Sequence, residues 1–292
     1  MVVDSGTKLH SRFNASDADL KVQSKDGVMF LLHRKNLEIN TGTFPPPEFR
    51  TNGETVFLTE EAKVLEILFQ FLYPQKYPSL EDLDFDLVLA VCEAVGKYEV
   101  FSAMKTCEVQ LCELVPQHVV ELFWHAVKHD LSPVMDVAGF HLLGRSTATE
   151  MLPMLPPYLR VPWTRFHEGW EAILNSAKEY VRLLEIPRID RCGRTWDGFE
   201  MSDMICRPCQ EWLLAWITEL EDMDSISEIR REIRFPWEPD LQGVDYETYK
   251  LCGTCNEFHC HAVRAVGGFI ELKMDKLHPL TYYTQPGDEG DR

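Results

Sequence analysis

A chain of 292 residues, 45% hydrophobic and 26% charged, has the composition of an ordinary globular protein of about two domains. Its 47 acidic and 29 basic residues leave a net charge of −18, so broad attraction to phosphate backbones or anionic lipid would work against the chain's own field. No apolar run approaches the ~18 residues of a membrane helix, and Met1 to Asn14 lacks the apolar core of a signal peptide.

Residues 1–16 read as a flexible tail. Leu20 and Val22 alternate with polar neighbours, Asp26-Gly27 is a hairpin turn signal, and Val28, Phe30 and Leu32 alternate again. A short helix is expected from Arg34 to Asn40, before Pro45-Pro46-Pro47 forces extended backbone. Val56 and Leu58 suggest a third short strand. Thr59 then suits a helix N-cap with Glu60 and Glu61 in the first turn, and Leu65, Leu68, Phe69 and Leu72 supply that helix's apolar stripe up to Pro74. Two helical stripes follow, one through Leu87, Ala90, Val91, Ala94 and Tyr98, the next through Val100, Ala103, Met104, Cys107 and Leu111.

From 117 to 144 two more amphipathic helices are expected, the second opening at Ser132-Pro133. Pro153, Pro156, Pro157 and Pro162 mark 151–163 as a linker. Beyond it the pattern is helical over about 164–184, 209–223, 225–235 and 261–274, and 281–292 reads as a frayed acidic tail. The negative charge is spread out, −7 over residues 15–112 and −10 over 164–292, so no segment is a basic face.

The order of strand, Asp-Gly hairpin, strand, His, short helix, strand and paired helices resembles the BTB/POZ fold over about residues 17–113. Asp19-Leu20-Lys21-Val22 with Asp26-Gly27 and Phe30 looks like that family's opening hairpin. His33-Arg34, Leu37, Thr41 and Phe44 are similar to its His-(Arg/Lys)-x-x-Leu-x-x-x-Ser-x-x-Phe signature, with Thr in place of Ser. Val56-x-Leu58, Leu68-x-x-Phe71-Leu72-Tyr73, and the group Leu89, Ala94, Lys97-Tyr98, Val100 and Cys107 continue the match, and the helices over 114–150 look like the extension that often follows such a domain.

The resemblance implies association through protein surfaces. Homodimers are common in that family, and some members bridge a cullin scaffold to a substrate for ubiquitination. Most of the matching positions are core and turn residues, and His33, at a strand-to-helix junction, is expected to be buried and hydrogen-bonded rather than catalytic.

The second informative feature is a cysteine constellation over 164–280. Cys206-Arg207-Pro208-Cys209 and Cys252-Gly253-Thr254-Cys255 are two Cys-x-x-Cys pairs. Four thiolates on two tight turns suit a closed tetrahedral zinc site, structural rather than catalytic. Cys192, His259, Cys260 or His261 could replace one of the four. Unligated thiols and a redox-active pair are the competing readings. Nine cysteines without an export signal fit a reducing cytosol or nucleus. Cys92, Cys107 and Cys112 lie on apolar helical positions and read as core.

No nucleotide-binding glycine loop or nucleophile elbow occurs, and His167-Glu168-Gly169-Trp170-Glu171 lacks the second His of the zinc-protease motif. Trp124-His125 reads as part of a helix face, and Trp212, Ala215, Trp216 and Leu220 as one apolar face that is core or recognition surface. The expectation is an α+β chain: a BTB/POZ-like domain with a small sheet and helical hairpins, then a mostly helical domain clipped by zinc. It acts without catalysis, through protein partners and self-association, with no direct nucleic-acid or membrane contact. The alternatives are a transcription-associated regulator without direct DNA binding, and a redox or metal-dependent enzyme on the cysteine domain.

Overall fold

A computed structural model describes residues 8–43, 55–143, 148–184, 207–221, 223, 226–234 and 256–285. It is a mixed helix-and-sheet protein in two compact units, Met1–Val134 and Met135–Arg292. All the described strands are in the first unit.

The first unit is built on β1 (Lys8–Asn14), β2 (Leu20–Gln23), β3 (Val28–Leu32) and β4 (Thr55–Phe57). Sheet order is β1-β3-β2-β4, with β2 antiparallel to β3 and the outer pairs β1–β3 and β2–β4 parallel. Alternation in β2 and β3 puts Leu20, Val22, Phe30 and Leu32 into the core. The turn between them has Gly27 at φ +84°, a conformation that disfavours any residue with a Cβ.

β1 corrects the expectation of a flexible tail over 1–16. Its burial does not alternate cleanly, so it is weak as a sequence signal, yet Phe13 is buried and His10 stacks on Phe30 at 4.6 Å. Phe13 also meets Phe69 edge-on at 5.8 Å. One aromatic anchor worth roughly 1.5–3 kcal/mol fixes the strand where periodicity does not announce it.

α1 (Arg34–Asn40) lies where the sequence places it. The backbone N–H of Arg34 donates to Asp19 Oδ1 at 2.7 Å. His33 is partly buried, with its N–H donating to Tyr73 Oη at 3.0 Å and its Nδ1 3.1 Å from the same oxygen. α2 (Ala62–Gln70) starts later than the Thr59 cap implies. Glu61 is its N-cap, and the Ala62 N–H donates to Asp26 Oδ1 at 2.8 Å, so the hairpin turn caps a helix 36 residues away. Asp26 is held below its ordinary pKa, first by a hydrogen bond from Ser24 and then by this amide.

α3 (Phe85–Tyr98) begins at Asp84, whose carboxylate accepts from the Leu87 N–H at 2.9 Å. It packs between α2 and α4 (Phe101–Leu114), burying Val88, Val91, Cys92 and Val95. Cys92 and Cys107 are buried as expected of core thiols, and Cys112 is half-buried. α5 (Val119–His129) buries Val119, Leu122, Phe123 and Ala126.

α6 (Ser132–Leu142) spans the boundary between the units, and α7 (Ala148–Met151) follows it. The stretch 151–163, expected as a linker, carries the start of α8 (Pro157–Leu183). Pro157 occupies the first turn, where a missing N–H costs nothing, and Pro162 forfeits only one backbone bond. Met151, Leu155, Leu159 and Trp163 are buried, so the segment belongs to the core. α9 (Arg207–Glu221), α11 (Asn256–Met274) and a 3-10 turn (Leu280–Thr284) pack on α8, and α10 (Ile226–Arg234) packs on α11.

Leu280 is buried, and Asp136 accepts from the Thr281 N–H at 2.8 Å and its hydroxyl at 2.6 Å. The acidic tail expected from 281 is therefore anchored through 284. In α9 the buried residues are Leu213, Trp216, Ile217 and Leu220, one position round from the expected face: Ala215 is exposed and Trp212 half-buried. Among the described residues, no helix is long and apolar enough to cross a membrane.

Candidate functional site

The described chemistry-bearing side chains converge on the first unit, where α3 and α5 lie side by side. His118, the residue before α5, stacks on Phe85 at the start of α3, with ring centroids 3.6 Å apart and planes within 2°. Further along both helices, Glu93 of α3 meets His125, Lys128 and His129 of α5. The two helices therefore run in the same sense.

The apolar stripes of both helices face the core, which leaves Glu93 on the flank of α3. His125 and His129, four residues apart, share one face of α5. Glu93 Oε1 is 3.1 Å from Lys128 Nζ, 3.6 Å from His129 Nε2 and 4.0 Å from His125 Nδ1. The two imidazoles lie 4.4 Å apart between centroids. His129 Nε2 is buried and has no hydrogen-bond partner. One donor atom from each of Glu93, His125 and His129 falls within 4.8 Å of the others, so this group could hold a metal ion.

Electrostatics prepare the group unevenly. Burial pushes the pKa of His125 down to about 4, helped by neighbouring His129 and opposed by Glu93, so it is neutral at pH 7. The Lys128 ammonium, hydrogen-bonded to Glu93, holds that carboxyl below its ordinary range. Glu93, Lys128 and His129 line a cleft of about 570 Å³ together with Lys97, Glu60 and Lys63. Burial alone would raise the pKa of Glu60. Hydrogen bonds from Lys97 Nζ and Tyr98 Oη, both 2.7 Å, outweigh it and hold Glu60 ionised below the usual carboxylate value.

The four expected metal ligands fare differently. Cys206, Cys252 and Cys255 lie outside the described residues, as does Cys192. The backbone of Cys209 is in the first turn of α9, and those of His259, Cys260 and His261 are in α11, but their side chains also lie outside what is described. His167 is buried on α8, 3.4 Å from Glu171 one turn on, a placement within that helix's packing. Cys92 is pushed to a higher pKa by its hydrogen bond with Cys107 and by burial, so it is a poor nucleophile.

In the sequence His125 reads as a helix-face residue, and nothing there joins it to Glu93 and His129 as one group. A His-x-x-x-His pair is visible at 125 and 129, but the third donor lies 32 residues upstream on another helix. No local spacing connects them. What the fold and site define is an α+β chain carrying a two-histidine, one-carboxylate cluster at a helix–helix junction. No family model matches the chain, and no curated protein matches it.

Proposed function

We propose that this chain is a non-enzymatic interaction protein whose N-terminal unit serves as a BTB/POZ-like docking module. The observation that carries the reading is the run of elements β2–β3 hairpin, α1, β4, α2, α3 and α4 within one compact unit. That order accords with the residue resemblance over 17–113. Exposed Ile39, Phe57 and Phe101 belong to the same unit and are accessible to a protein partner. The partners are a second copy of the chain and, in an adaptor role, a cullin scaffold that receives a substrate for ubiquitination. The working compartment is a reducing one, cytosol or nucleus.

Sedimentation of the full chain over a micromolar concentration series tests this, with a mass near twice 33.8 kDa expected. A strictly monomeric chain at tens of micromolar removes self-association. Failure to co-elute with a purified cullin N-terminal domain removes the adaptor role.

For the second unit the reading is a structural zinc ion held by Cys206, Cys209, Cys252 and Cys255. Supporting it, Cys209 stands in the first turn of α9 and Cys255 immediately precedes α11, two helices that both dock on α8. A shared ion would tie their starts together and contribute to folding, since thiolate ligation exists only in the folded chain. Metal analysis of the native protein should find zinc that Cys206→Ser and Cys252→Ser each lose. Full retention in both variants would refute this ligand set.

A further inference from the structure

We propose that Glu93, His125 and His129 form a second metal site, separate from the cysteines, which takes a divalent transition-metal ion of the zinc, cobalt or nickel class and ties α5 to α3. The proposal is independent of the docking function above.

The donors are two imidazole nitrogens and one carboxylate oxygen, a set that suits these ions and is too nitrogen-rich for calcium or magnesium. Two histidines four residues apart on a helix present their rings to one point, and the third donor comes from the helix alongside. Glu93 Oε1 stands 3.6 Å from His129 Nε2 and 4.0 Å from His125 Nδ1, and one donor atom of each residue lies within 4.8 Å of the others. Around zinc, with bonds of about 2.0–2.2 Å, ligand atoms stand roughly 3.3–3.5 Å apart. Closure therefore needs shifts of about 1 Å or a little more, within the reach of side-chain torsions.

His129 Nε2 gives a second, separate reason. It is a buried polar atom without a hydrogen bond, on a ring whose neighbours are His125 and Glu93. A buried polar group without a partner is costly, and coordination would supply one.

The rival occupant is already visible. Lys128 Nζ donates to Glu93 Oε1 at 3.1 Å and neutralises the carboxylate. The Lys128 side chain is 66% exposed, so it can swing into solvent when a dication arrives. If the ion pair were the whole purpose of the cluster, removing Lys128 would only destabilise the junction. If the cluster binds metal, removing Lys128 takes away a competing charge. The two readings predict opposite signs for one substitution. Three protein donors also leave at least one position for water or an incoming ligand, and Glu93 and His129 both line the cleft.

Cobalt(II) titration of the full chain tests this, because the ion reports on two kinds of site separately. Thiolate ligation gives an intense near-ultraviolet charge-transfer band, whereas an imidazole–carboxylate site contributes only visible d–d absorption. Wild type should bind an equivalent without thiolate character. His129→Gln and Glu93→Gln should weaken that equivalent by at least about 10-fold, the least seen even for losing an outer-shell partner. Lys128→Gln should tighten it roughly 3-fold or more by removing a unit charge beside the ion. The thiolate band should be the same in all four proteins, so loss of the cysteine site and loss of this one are told apart.

Far-ultraviolet circular dichroism checks that each variant is folded. Should one glutamine variant fail to fold, the other together with Lys128→Gln decides. Identical non-thiolate binding in wild type and a folded glutamine variant overturns the proposal. So does the absence of any non-thiolate equivalent in both wild type and Lys128→Gln.

Discussion

Glu60 shows how a single residue can be assigned to the wrong partner by local rules. Beside Thr59 it looks like a first-turn carboxylate favoured by the helix dipole. In the structure it lies before α2 and reaches across to α3, where Lys97 and Tyr98 both donate to it. The helix start is capped instead by Asp26, from the hairpin. Hydrogen bonds to a charged group are worth about 1.5–3 kcal/mol, so Glu60→Gln should destabilise the chain by a measurable part of that at pH 7. The sign of its pH dependence follows from the downward shift. The contribution is complete above the ordinary value of 4.5 and is lost as pH falls through the lower folded-state value. Denaturant unfolding of wild type and Glu60→Gln at pH 7 and below pH 4 should therefore show the gap closing in acid. An equal gap at both would mean that the carboxylate's charge contributes nothing.

At the scale of elements, the legible ones were those whose pattern is local and strong. β2, β3, α1, α3 and α4 are where alternation, the Asp-Gly turn and apolar stripes put them. The failures share a cause: each element is held by contacts that its own sequence does not display. β1 depends on Phe13 meeting Phe69, and the start of α8 depends on Trp163 being buried despite a proline on either side of the first turn. Proline density over 151–163 signals a break only if each proline sits in a helix interior. Pro156 and Pro157 instead mark a beginning. On α9 the tryptophans drew the expected face toward themselves. Trp216 is buried and donates from Nε1 to Glu232 Oε1 at 3.4 Å, while Trp212 only flanks it, stacked at 6.0 Å. The real stripe is centred on aliphatic Leu213 and Ile217. The Glu93–His125–His129 cluster is the same lesson on the functional side. Its histidines are one turn apart and readable, but the carboxylate arrives through the packing of α5 beside α3.

For the molecule as a whole, net charge makes the sharpest statement about association. Two copies of a chain carrying −18 repel at long range, and no segment of the sequence offers a basic surface to offset it. A dimer must then be held by apolar contact, of the kind that exposed Ile39, Phe57 and Phe101 can supply, and must form against the electrostatic term. Salt should decide the matter. Raising ionic strength from ~0.01 M to ~1 M shortens the screening length from about 30 Å to about 3 Å. Repulsion between whole molecules fades over that change while apolar burial does not weaken. Self-association measured by sedimentation should therefore strengthen with salt, and its dissociation constant should fall. Weakening with salt would place opposite charges at the centre of the interface and remove the apolar account of it. The trend is opposite to that of binding to a phosphate backbone, which loses affinity steeply as salt rises.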